Sequence, residues 1–253
     1  MAPDLLVTRL IAIREPRMRV LALVEALSTG DPDEWVDVFA AIVARAHTVD
    51  DAAATETLES ITHAAAEPSL RYATRQALYE AAMAHNLPAI ARLFLAASPP
   101  ADVPRQLAKQ LGPERPLRPT DRPLTLGERK ALARTHDREQ LLLLARDPHP
   151  AVVAILLDNP HVTEAEIVKM AALRPAAPES LAKIAAHARW SVRHAVKRAL
   201  VLNPATPLAD AIRIATTLRP GELAEIAADH ALPEQLREQA AELLASLTSR
   251  PRA

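Results

Sequence analysis

Cysteine is absent from the 253 residues. That excludes disulfides, thiolate metal sites and thiol chemistry, and it agrees with a reducing compartment, so a cytoplasmic protein is expected. Glycine occurs four times, too rarely for strands joined by tight turns or for loops that cradle phosphate. Aromatic residues make up 2 % of the chain, so a core must be built from Leu, Ile, Val and much Ala, which suits close-packed helices better than sheets. No run approaches the ~20 uninterrupted apolar residues that span a bilayer; the LLLL at 141–144 is far shorter. The opening MAPDLLVTRLIAIREPRMR carries Asp4 and an apolar run broken at Arg9, a poor signal peptide. Neither sign of charge dominates: 30 Lys and Arg against 31 Asp and Glu leave a net charge of −1, with no global pull toward nucleic acid or an anionic membrane. Lysine stands at five positions among many arginines, which points to a GC-rich bacterial genome.

What is present is a repeated helix grammar in a chain that is 49 % hydrophobic and 24 % charged. Asp31-Pro32-Asp33-Glu34 reads as an N-cap, a proline in the first turn and a capping-box acid. Trp35, Val38, Phe39, Ile42 and Val43 follow at three- and four-residue spacings, one apolar face of a helix. Thr163 opens a second such helix over Glu164-Ala165-Glu166, with Ile167, Met170 and Ala171 behind it. Thr206-Pro207 opens another carrying Leu208, Ala211, Ile212 and Ile214, and Leu232-Pro233-Glu234 opens the last, with Leu236, Ala240, Leu243 and Leu244. Most of the 22 prolines therefore start helices or separate them. The exception is 99–123, PPADVPRQLAKQLGPERPLRPTDRP, with seven prolines and one short helix predicted around Val103–Leu111. Its composition marks a linker or long loop between an N-terminal helical block, 1–98, and a repeat block, 124–247, with a disordered tail at 248–253. Proteolysis there is expected to release two helical fragments.

The second block repeats itself. "LLDNPHVTEAEIVKMAALRP" at 156–175 returns as "LVLNPATPLADAIRIATTLRP" at 200–220. Leu141 and Leu181 begin the first helices 40 residues apart, whereas Asn159 and Asn203 are 44 apart, the second copy holding four extra residues. A period near 40 is the mark of a helical repeat array, in which each unit gives the next the same packing surface. Leu200 and Ile214 belong to the expected core. "ARDPHPAVVAILLDNP" resembles HEAT-like helices, and "HARWSVRHAVKRALVLNPATPLADAIRIA" is similar to the bacterial leucine-rich repeat variant, over roughly 138–245. The resemblance implies an all-α fold, an α-solenoid built as a right-handed superhelical stack of short helices. The variant group also has a cysteine-ligated iron–sulfur module, for which this chain has no ligands.

Catalytic signatures are missing: no G-x-x-x-x-G-K-[ST], G-x-G-x-x-G, H-E-x-x-H or G-x-S-x-G occurs. His187 and His194 lie seven apart and His149 and His161 sit near breaks, which suits capping or solvated imidazoles better than metal ligation. Glu164 and Glu166, and Asp31, Asp33 and Glu34, are accounted for by helix capping. One feature stands out. From Leu181 to Ala209 there is no acid, while Lys183, Arg189, Arg193, Lys197 and Arg198 are basic, with Trp190 and His194 among them. A helix over 190–202 would line up Arg189, Arg193 and Lys197 as a cationic stripe, with Val192, Ala195, Val196, Ala199 and Leu200 on the buried face. Trp190 would then stack on Arg193 or His194. The alternative is a solvated or internally paired face, with the Trp in the core.

The expectation is a non-enzymatic scaffold or adaptor without cofactor or metal, binding a protein partner through its repeat surface. The partner-binding residues would be Arg189, Trp190, Arg193, His194, Lys197 and Arg198. The open ends of such a stack also allow homo-oligomers. The second reading is a nucleic-acid-binding protein similar to the HEAT-like alkylpurine DNA glycosylases, with the basic stripe on phosphates. Those enzymes set a carboxylate and aromatics against DNA, and this stretch offers only Trp190.

Overall fold

The computed structural model describes residues 2–48, 51–95 and 123–248. The proposed linker up to 122, its short helix at 103–111 and the tail from 249 lie outside the described residues. Among the described residues the protein is all-α, with fifteen α-helices, one 3-10 turn and no strand. No described helix is long and apolar enough to cross a membrane. The chain forms two compact units, one from Met1–Ala96 with Leu208–Ala253 and the other from Ala97–Pro207. The sequence blocks place 208–247 with the repeats, yet it falls in the unit of the N-terminal helices, with Leu208–Ala215 and Glu234–Thr248 packed on them and Pro220–Ala228 packed on Glu234–Thr248.

Among its described residues the second unit holds six helices: α7 (Leu126–Leu132), α8 (Arg138–Leu144), α9 (Pro150–Asp158), α10 (Glu164–Ala172), α11 (Pro178–Ala186) and α12 (His194–Val201). Their breaks fall at the expected Asp147-Pro148, Asn159-Pro160, Leu173-Arg174-Pro175 and Asn203-Pro204. Four of the starts are capped by a side chain. Glu128 and Glu166 reach back to the backbone N–H groups of Thr125 and Thr163, both at 2.8 Å, closing capping boxes at α7 and α10. Asp137 accepts from the Glu139 N–H at 3.0 Å, and His149 Nδ1 accepts from the Ala151 N–H at 3.1 Å, ahead of Pro150. Helices pack on neighbours and on helices two further along, α7 with α9, α9 with α11 and α10 with α12.

The repeated Asn explains part of that order. The Asn159 carboxamide donates to the carbonyls of Ala133 (2.8 Å) and Thr135 (2.9 Å), just past the end of α7. Asn203 does the same to Ala171 (2.7 Å) and Leu173 (3.0 Å) at the end of α10. Each side-chain oxygen takes the N–H two residues on, His161 at 2.8 Å and Ala205 at 3.1 Å. Both carboxamides are buried and spend their donors on helix-end carbonyls that no helical N–H can reach. The apolar positions beneath them are the ones the period predicts: Val152, Leu156, Leu157, Ile167, Val196, Leu200 and Val201 are all buried.

The first unit consists of α1 (Pro3–Ala12), α2 (Pro16–Thr29), α3 (Pro32–Thr48), α4 (Ala52–Ala66), α5 (Tyr72–Ala84), α6 (Pro88–Ala91), the 3-10 turn Arg92–Phe94, and then α13 (Leu208–Ala215), α14 (Pro220–Ala228) and α15 (Glu234–Thr248). The expected face of α3 is its core: Trp35, Val38, Phe39, Ile42 and Val43 are buried. Gly30 lets the Trp35 indole lie against backbone, since a Cβ there would sit 2.2 Å from Nε1. Ile212 is fully buried, whereas Ile214, expected in the core, is half-buried on the other side of α13.

A polar joint ties the late helices to the early ones. Gln239 of α15, wholly buried, donates to the Ala89 carbonyl at 3.0 Å and the Thr216 hydroxyl at 3.2 Å. Arg92 grips both oxygens of Glu242, one at 3.1 Å. His47 Nε2 donates to the Thr216 carbonyl at 2.9 Å, and burial depresses the pKa of this imidazole against the smaller, opposing effect of that bond. At the start of α3, Asp37 (2.9 Å to Nδ1) and Asp33 (3.0 Å to Nε2) flank His85, the residue that follows α5, and its pKa is raised, chiefly by the Asp37 hydrogen bond.

Two outcomes are expected. Leu200→Ala costs about 2–5 kcal/mol and Asn203→Ala about 1–3 kcal/mol, read by urea denaturation, because the first leaves a cavity and the second strands two buried carbonyls; values no larger than those of a surface control would refute this packing. A protease that cuts within 99–123 leaves two fragments that co-elute in native gel filtration, because 208–248 stays packed on 2–95. Separate peaks would show the joint to be weak.

Candidate functional site

Arg189 and Arg193 of the predicted basic stretch lie where α11 hands over to α12, and Lys197 and Arg198 lie within α12. The 188–192 segment is a turn and α12 begins at His194, so the expected helix from 190 is shorter at its start. A four-residue stripe therefore does not form. Lys197 is buried, only 6 % exposed, while Val192 and Ala195, expected on the buried face, are exposed. Counting back from the two clamp asparagines gives the cause: Lys197 stands six residues before Asn203 as Val153 stands six before Asn159, so lysine fills a core position of the repeat. Its aliphatic stem can line that position.

Trp190 is core, 2 % exposed, and its indole N–H donates to the Leu157 carbonyl at 2.8 Å, in the last turn of α9. It does not stack on Arg193 or His194. Its cationic neighbour is Arg189, whose guanidinium carbon lies 4.2 Å from the ring centroid. His187 is the other aromatic beside it, ring centroids 6.5 Å apart, and His187 Nε2 lies 3.1 Å from Asp158. Arg189, Arg193, His194 and Arg198 are exposed. Arg193 reaches Glu164 at 3.9 Å, a solvated pair of small energetic worth. The structure thus gathers Arg189 and Arg193 at one edge, with the exposed Val192 between them in the chain, and sets Trp190 beneath as an anchor.

Asp147 and Glu166 of the second unit serve packing. Asp147 takes Arg129 in a buried pair at 2.6 and 2.7 Å and caps the His149 N–H at 2.9 Å. Glu166, buried, has its pKa lowered although burial opposes this, because Thr163 and Arg138 bond to it. Among the described residues no group of three His, Cys, Asp or Glu is placed to hold a metal ion. In the first unit a cavity of ≈ 380 Å³ opens between α3, α6 and α15, walled by Ala40, Val43, Leu87, Ile90 and Leu243. Its acidic wall residue, Glu242, is engaged by Arg92. Sequence reasoning missed this space, since its walls come from segments far apart in the chain.

No protein-family model, curated protein or solved structure matches this chain.

Trp190→Phe should lower unfolding stability by about 1–3 kcal/mol through the stranded Leu157 carbonyl, whereas Arg189→Ala should cost about 0.5–1 kcal/mol, the worth of an exposed cation–π contact. Equal losses in urea titrations would mean that Trp190 is not the anchor.

Proposed function

We propose that the chain is a non-enzymatic scaffold, a HEAT-like right-handed α-solenoid whose repeat surface binds a protein partner. The observation that carries this reading is the duplicated clamp: the side chains of Asn159 and Asn203 make the same three hydrogen bonds in successive copies. The most distinctive phrase in the sequence is thereby spent on stacking helices, as in proteins whose repeats exist to present an extended surface. The residues that differ between copies then carry recognition, and in the second copy these include the exposed Arg189, Arg193, His194 and Arg198. Trp190 supports this surface from below, and Lys197 contributes to packing.

Affinity capture from a bacterial lysate tests the proposal, with wild type set beside the double variant Arg189→Glu/Arg193→Glu, each with and without nuclease. Both positions are exposed, so the variant keeps its fold, which circular dichroism verifies. A discrete protein retained by wild type, resistant to nuclease and lost in the variant, is the expected result. Nuclease-sensitive recovery would replace the proposal with nucleic-acid binding, and identical profiles would remove this surface from it.

A further inference from the structure

We infer that the edge formed by Arg189, Val192 and Arg193 is a carboxylate-recognition surface, built to take an acidic segment of a partner protein that carries an apolar residue beside its Asp or Glu. The inference rests on the scaffold reading and names the partner's chemistry.

Arg189 is the centre of the argument. Its guanidinium lies over the Trp190 ring, 4.2 Å from the centroid. Among the described residues no acid pairs with it. A stacked guanidinium uses its flat face for the ring and keeps its N–H edge for hydrogen bonding, and that edge matches a carboxylate in a two-pronged bond. Trp190 cannot swing away, because it is buried and its indole N–H is held by the Leu157 carbonyl at 2.8 Å. The arginine is therefore ordered before any partner arrives, which removes part of the entropy cost of binding.

The surroundings select for the same partner. Val192 is 45 % exposed, next to Arg193, whose side chain is 54 % exposed and only 3.9 Å from its nearest carboxylate. An apolar contact flanked by cations fits a segment in which acid and aliphatic side chains adjoin. The stretch from Leu181 to Ala209 contributes no Asp or Glu of its own; the acids near it come from neighbouring elements, Asp158 beside His187 and Glu164 at 3.9 Å from Arg193, and neither pairs with Arg189. Nucleic acid fits less well: Trp190 has no open face for a base, and two arginines neutralise too few phosphates for strong binding.

The test screens the full chain against a displayed library of random 12-residue peptides and measures selected peptides by fluorescence anisotropy. Selected sequences should be enriched in Asp or Glu next to aliphatic residues. Arg189→Gln should weaken them about 10–100-fold, as expected for loss of a charge-assisted pair. Arg189→Lys should restore only part of the affinity, and replacing the peptide's Glu by Gln should reproduce the loss. Peptides that bind without acidic enrichment, or equally well to Arg189→Gln, overturn the carboxylate site and leave the scaffold reading standing. A library that yields no binder, together with salt-sensitive binding of a 20-nucleotide single strand at the same residues, overturns both.

Discussion

Two buried asparagines impose the order on which the second unit depends. A helix ends with carbonyls that its own backbone cannot satisfy, and burying them against another helix is costly unless a donor is supplied. Asn159 and Asn203 supply two donors each, across to a helix two positions earlier, and turn their own oxygens back onto the chain. The bond geometry brings the C-terminal end of α9 to that of α7, and that of α12 to that of α10. Apolar packing alone allows a helix to slide along its neighbour; a carboxamide that must meet two particular carbonyls does not.

The first unit reaches the same end by other means. Its late helices are tied in by Gln239, Arg92 and Glu242, which join segments up to 150 residues apart in the chain. Beneath that joint lies the apolar face of α3, so that polar bonds set the register and burial supplies the driving force. In the second unit the ion pair Arg129–Asp147 has no twin: the equivalent positions are Ile167 and Ser191, and the Ser191 hydroxyl is buried without a partner among the described residues. The copies share the clamp and diverge around it.

Local features were legible from residue order and tertiary closure was not. Helix starts at Pro32 and Thr163, and breaks at both Asn-Pro pairs, follow from capping chemistry and proline, which act within a few residues. The buried set of α3 follows from its period. The basic stripe failed for a reason the sequence did contain: counting from Asn203 instead of by helical spacing puts Lys197 on Val153 and the helix start at His194. Nothing local announced that Ile214 would be half-buried or that Leu208–Thr248 would pack on the N-terminal helices, because such contacts depend on which distant surfaces remain uncovered. The stacking of Arg189 on Trp190 was likewise hidden, since it arises in a turn where no periodicity operates.

The first unit's assembly from both flanks of the second has a consequence for synthesis. When the ribosome has finished α6, the apolar surfaces that α13 and α15 will cover are still bare, and 97–207 must be made before those helices emerge. At elongation rates of about 5–20 residues per second that interval is roughly 6–22 s, far longer than hydrophobic collapse. The nascent N-terminal helices therefore wait with a sticky face open, whereas the second unit completes its own contacts in the order in which it is translated. Chaperone capture during translation would fall on the first unit.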